Sequence, residues 1–85
     1  FSSLIKLNKL NLAHNYLYTL DPIIFQNLHY LIELDLSFNR LKILHNFMFC
    51  SNKLLFRLNV AENHLEILEE FSFKNLDENF RHLNL

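Results

Sequence analysis

Phe1, Phe25, Phe49 and Phe73 stand 24 residues apart, and the residues around them recur at the same interval. The segments LNKLNLAHNYL (7–17), LIELDLSFNRL (31–41) and LFRLNVAENHL (55–65) align as L-x-x-L-x-[L/V]-x-x-N-x-L. A fixed period of this kind means that one supersecondary unit is built repeatedly and stacked on its predecessor. A single unit cannot bury its apolar side chains, so the core must lie between units. The approximate units are 1–24, 25–48, 49–72 and a partial 73–85.

More columns join the alignment. Leu4 and Leu28 precede the signature, and Leu20, Leu44 and Leu68 follow it, five residues ahead of the next phenylalanine. Two departures stand out. Asn52 occupies the column of Leu4, Leu28 and Leu76, which implies a weaker seam there or an inward turn of its neighbour Leu54. Between Leu76 and Phe80 the spacing grows by one, moving the last apolar alternation to an interval of 25.

These columns resemble the leucine-rich repeat family, whose signature is L-x-x-L-x-L-x-x-N-x-L and whose repeats span about 20–29 residues. The longer unit, with its phenylalanine, is similar to the typical 24-residue class of extracellular receptors and matrix proteins, Toll-like receptors among them. The resemblance covers essentially the whole chain. It implies an α/β solenoid: a right-handed coil with a short-stranded parallel sheet on its concave face and irregular, 3₁₀ or helical arcs on its convex side.

The residues themselves support the same architecture. KLNLA (9–13), ELDLS (33–37), RLNVA (57–61) and HLNL (82–85) alternate apolar with polar or small residues, the period of a strand half in the core. Leu10/Leu12, Leu34/Leu36, Leu58/Val60 and Leu83/Leu85 are the inward pairs. Asn15, Asn39 and Asn63 close the strands at one repeat position, where an inward amide can satisfy both donors and acceptors of a tight turn. Leu17, Leu41 and Leu65 then return the chain to the core. On the arcs, Ile23, Phe47 and Phe71 are expected to point inward beside the column of Phe1, Phe25, Phe49 and Phe73. Pro22 follows Asp21 and suits the start of a helical turn.

Composition excludes several function classes. Eight Lys and Arg against nine Asp and Glu give a formal charge of -1, and the basic residues are scattered among acids, so no nucleic-acid partner is expected. Six of the nine acids fall within 62–78. No apolar run reaches the roughly 18–20 residues that span a bilayer, so any membrane attachment is expected through regions outside this segment. The five histidines occupy different repeat columns without H-x-x-x-H spacing, and Ser37, Cys50 and Ser51 lack a recognisable base and orienting residue. The expectation is therefore no enzyme, no metal and no cofactor. Cys50 alone builds no disulfide framework and leaves the redox compartment open.

What remains is surface. Outward strand positions form rows across the repeats: Lys9, Glu33, Arg57 and His82, then Asn11, Asp35, Asn59 and Asn84, then Ala13, Ser37 and Ala61. The alternating charges read either as a partner contact or as a solvated face in which they offset one another. Phe38 lies where the signature permits variation, near the rim of the sheet, and reads either as an interface anchor or as packing over Tyr16, Arg40 or the sheet edge. Candidate protein-binding residues are Glu33, Asp35, Phe38, Arg40 and Arg57.

The expected function is protein recognition by a segment of a larger receptor or secreted ectodomain, extracellular or at the cell surface. Its partner would be a protein ligand or co-receptor, and it would be flanked by further repeats or caps. A structural spacer or a cytoplasmic interaction scaffold is the alternative, consistent with the lone Cys50 and the absence of an N-x-[S/T] sequon.

Overall fold

The computed structural model describes residues 6–45, 48–69 and 82–85. Four three-residue strands form one parallel sheet: β1 (Lys9–Asn11), β2 (Glu33–Asp35), β4 (Arg57–Asn59) and β6 (His82–Asn84), in the spatial order β1-β2-β4-β6. Leu10 pairs with Leu34 and Leu34 with Leu58 at the repeat interval, while Leu58 pairs with Leu83, one residue later. The 25-residue step anticipated before the last strand is thus absorbed without a slip, because the leucine column stays on one face.

The strands are shorter than the apolar alternation, for a local reason. Asn11, Asp35 and Asn59 each turn a side-chain oxygen onto the backbone N–H two residues ahead, at Ala13, Ser37 and Ala61, over 2.9–3.0 Å. This Asx turn ends the strand and bends the chain toward the ladder asparagine. The next residues, His14, Phe38 and Glu62, have φ of 61°, 54° and 55°.

Asn39 shows how the coils are tied. Its Nδ2 donates to the carbonyls of Leu12, Leu36 and Ser37, and its Oδ1 accepts from the N–H groups of Asn15 and Leu17. Asn63 repeats the operation one coil on, donating to Leu36, Val60 and Ala61 and accepting from Leu41. Each amide therefore closes its own turn and clasps the coil before it. Among the described residues Asn15 donates within its own coil, to Leu12 and Ala13.

The core lies between the sheet and the arcs. Leu34, Leu36, Leu58 and Val60 are buried beneath the strands, joined by Leu20, Leu41 and Leu44 where the chain leaves them. Leu10, Leu12, Leu17 and Leu65 pack against this cluster from its borders. Leu83 and Leu85 share the inward columns but are exposed, β6 being the outer strand of the sheet among the described residues.

On the arcs, Phe25 and Phe49 are fully buried and stacked, with ring centroids 5.7 Å apart. Ile23 does not join them: it is 61% exposed. Asp21 accepts from the Ile23 N–H and caps a 3₁₀ turn over Pro22–Phe25. At three residues per turn, positions 25, 28 and 31 share one side, and Phe25, Leu28 and Leu31 are all buried while Ile23 and Ile24 face outward. Phe1, Phe47, Phe71 and Phe73 lie outside the described residues. The arcs also hold an unanticipated element, a two-residue parallel pair of β3 (Ile43–Leu44) and β5 (Ile67–Leu68).

Asn52 itself takes the buried place of its leucine column, and Leu54 does not turn inward as its alternative. It is fully buried, while Leu54 is 44% exposed. Backbone bonds from Asn52 N–H to Phe49 and from Leu55 N–H to Asn52 put Phe49, Asn52 and Leu55 on one period-three line, which leaves residue 54 on the outside. The Asn52 Nδ2 spans the coils, donating to the carbonyls of Phe25 and Leu28 at 3.0 and 2.9 Å, and its Oδ1 has no hydrogen-bond partner among the described residues.

Candidate functional site

The outer face of the sheet carries Lys9, Glu33 and Arg57 as in-register neighbours on β1, β2 and β4. They and the row of Asn11, Asp35 and Asn59 line a shallow depression of about 340 Å³. Among the described residues only Lys9 comes within ion-pair distance of Glu33, at 4.0 Å. Both side chains are solvated, so this contact contributes at most about 1 kcal/mol and leaves Glu33 available to a stronger partner. The Arg57 guanidinium lies 5.8 Å from the ring centre of Phe56, its neighbour in sequence.

Asp35 is occupied locally. Its Oδ1 accepts from both the N–H and the hydroxyl of buried Ser37, at 2.9 and 2.6 Å. Its first role is thus to close the strand, as Asn11 and Asn59 do in the coils on either side.

Beyond the strand ends the chain turns through the left-handed residues and builds a rim. Phe38 is 51% exposed and stacks on His14, with ring centroids 4.5 Å apart and planes 9° from parallel. Arg40 lies over Tyr16 at 4.9 Å. The two pairs are related by the repeat, residue 14 to 38 and 16 to 40, so stacking coils brings an aromatic pair and a cation–π pair side by side. Of the candidate residues, Phe38 and Arg40 belong to this rim, while Glu33, Asp35 and Arg57 belong to the adjoining face.

The sequence offered Tyr16 and Arg40 as packing for Phe38; instead Phe38 stacks on His14, and Arg40 lies over Tyr16. The signal was available: His14 and Tyr16 each precede their stacking partner by 24 residues. Among the described residues, no group of three or more His, Cys, Asp or Glu is placed to hold a metal, and no helix is long and apolar enough to cross a membrane. Cys50 is a free, partly buried thiol.

A comparison with curated proteins returned no match. The leucine rich repeat profile matches residues 5–65, which contain all three complete signatures, β1, β2 and β4, and the ladder asparagines. Repeats of this family generally mediate contacts between proteins. With the period, the register and the asparagine ladder agreeing over most of its length, the chain belongs to the leucine-rich repeat family.

Proposed function

We propose that this chain is a protein-recognition segment of a right-handed solenoid, with the four-stranded sheet on its concave side and the rim of His14, Tyr16, Phe38 and Arg40 as the principal contact. The carrying observation is Phe38. Its backbone is left-handed, at φ 54°, a conformation that costs a bulky residue roughly 1–2 kcal/mol, and half its surface is in water. Asn or Gly would satisfy that turn more cheaply, and an exposed aromatic held against local preference is the kind of feature that binding maintains. The flanking Arg40 supplies a cation, and Glu33, Asp35 and Arg57 a polar surround, so a protein partner suits the face better than a polyanion does.

The 24-residue unit with its aromatic column is similar to the typical extracellular class, Toll-like receptors included. On that resemblance the parent is a cell-surface receptor or secreted ectodomain, with innate immune recognition as its Toll-like setting. Ligand or co-receptor binding would change receptor association and so pass a signal. The segment supplies recognition and spacing, without catalysis or a cofactor. Membrane attachment and signalling belong to other parts of the parent, and neighbouring repeats or caps cover the ends of the stack.

The test is partner capture by the protein with a photo-crosslinking side chain at position 38, compared with position 24 on the arc. Capture at 38 that is lost on Arg40→Ala, with an unchanged circular dichroism spectrum, supports the reading. Equal capture from both positions, or capture indifferent to Arg40, leaves the segment as a spacer.

A further inference from the structure

Next to the charged face, on the side where the chain enters the strands, two coils present an apolar block that the repeat does not require. Tyr30, Ile32 and Leu54 are exposed and Phe56 is half-buried. Tyr30 aligns with Leu54 and Ile32 with Phe56, and the N–H groups of Phe56 and Arg57 both donate to the Ile32 carbonyl, so the block is contiguous. In the preceding coil the same two positions are Lys6 and Asn8, both exposed. Among the described residues the block therefore lies on the coils of β2 and β4, the two strands that carry Glu33 and Arg57.

We infer that this block and the Glu33/Arg57 row form a self-complementary surface whose occupant is a second copy of this chain, related by a two-fold axis parallel to the strands and midway between β2 and β4. Such an axis exchanges each residue of one coil with its counterpart 24 positions on. It sets Glu33 against Arg57 of the second copy and Arg57 against Glu33, Ile32 against Phe56, and Tyr30 against Leu54. Every apolar side chain of the block then meets an apolar one, Glu33 and Arg57 meet as opposite charges twice over, and Asp35 faces the neutral Asn59, the pattern of an isologous interface. An axis between β1 and β2 would put Lys6 and Asn8 against Tyr30 and Ile32 and lose the apolar match. The inference rests on the reading of this face as protein-binding and names its partner.

Sedimentation velocity and light scattering over a concentration series provide the test. The wild-type chain is expected to form a dimer, with the dissociation constant raised about tenfold or more by Glu33→Arg or by Arg57→Glu and returned close to its original value in the double exchange Glu33→Arg/Arg57→Glu. Leu54→Glu is expected to dissociate the dimer, and Ile24→Glu, on the arc, to leave it intact. Amide spectra of each variant report whether the coil has kept its fold. A monomeric wild type overturns the inference, as does a double variant no tighter than either single one. Higher oligomers indifferent to both charges would instead mark association through the strand edges of β1 and β6, and also overturn it. Capture through Phe38 and Arg40 is read separately, so loss of the dimer alone leaves the broader recognition role standing.

Discussion

The side-chain amide of Asn52 reaches back 27 residues to the carbonyl of Phe25, at 3.0 Å, from a fully buried position that the repeat pattern assigns to leucine. A polar side chain replaces packing with hydrogen bonds across the coils, and the direction of those bonds makes the position testable. Asn52→Asp puts an acceptor where two carbonyls need a donor, and is expected to destabilise the fold by about 2–4 kcal/mol at pH 7. The burial and the facing carbonyls raise the folded-state pKa of the new carboxyl above its unfolded value of about 3.9, so the penalty grows as pH rises past that value and disappears below it. Asn52→Leu loses two hydrogen bonds but both carbonyls keep backbone donors from Leu28 and Leu31, and its apolar burial offsets the loss. Its expected change is below about 1.5 kcal/mol. Urea unfolding between pH 3 and 8 distinguishes these outcomes.

Truncating the stacked pair should separate core from surface on the arc. Phe25→Ala or Phe49→Ala is expected to cost about 3–5 kcal/mol, a large part of the stability of a chain this size. Ile23→Ser, two residues from Phe25, should stay within about 0.5 kcal/mol because the 3₁₀ turn already places Ile23 in water. Thermal denaturation of the three variants checks the contrast.

Removing the Asn39 amide leaves five backbone groups of two coils without that partner. Asn39→Ala is expected to cost more than about 3 kcal/mol, beyond the range of a single lost hydrogen bond. Asn15→Ala should cost about 1 kcal/mol, since that exposed amide ties only its own turn. Hydrogen exchange would show the difference as lost protection at Leu17 in the Asn39 variant.

Asp35→Asn should be tolerated within about 1 kcal/mol, because Asn11 and Asn59 make the same turn with an amide oxygen. Asp35→Ala strands the buried Ser37 hydroxyl and should cost about 2–3 kcal/mol. A binding assay on Asp35→Asn then reads the charge of Asp35 apart from its structural work.

Phe38→Asn exchanges an aromatic stack with His14, worth about 0.5–1.5 kcal/mol, for a residue that accepts the left-handed turn. Stability should change by less than about 1 kcal/mol in either direction. Partner capture is expected to fall at least about tenfold, the signature of a position kept for binding.

The period of 24 was enough, by itself, to set β1, β2 and β4, their parallel register and their inward leucines, because arcs of equal length return each of these strands to the same place beside its predecessor. It also located the ladder asparagines, whose chemistry is local to a turn. The rim was partly legible: Phe38 and Arg40 stood out, but His14 and Tyr16 became their partners only when residues 24 apart were brought side by side. Tertiary structure decided that Ile23 and Leu54 face outward, since turns closed by bonds to the third residue back rotate them by an angle that column spacing does not encode. It also decided that Asn52 could replace a leucine, because only the stacked coils bring the carbonyls of Phe25 and Leu28 within reach of its amide.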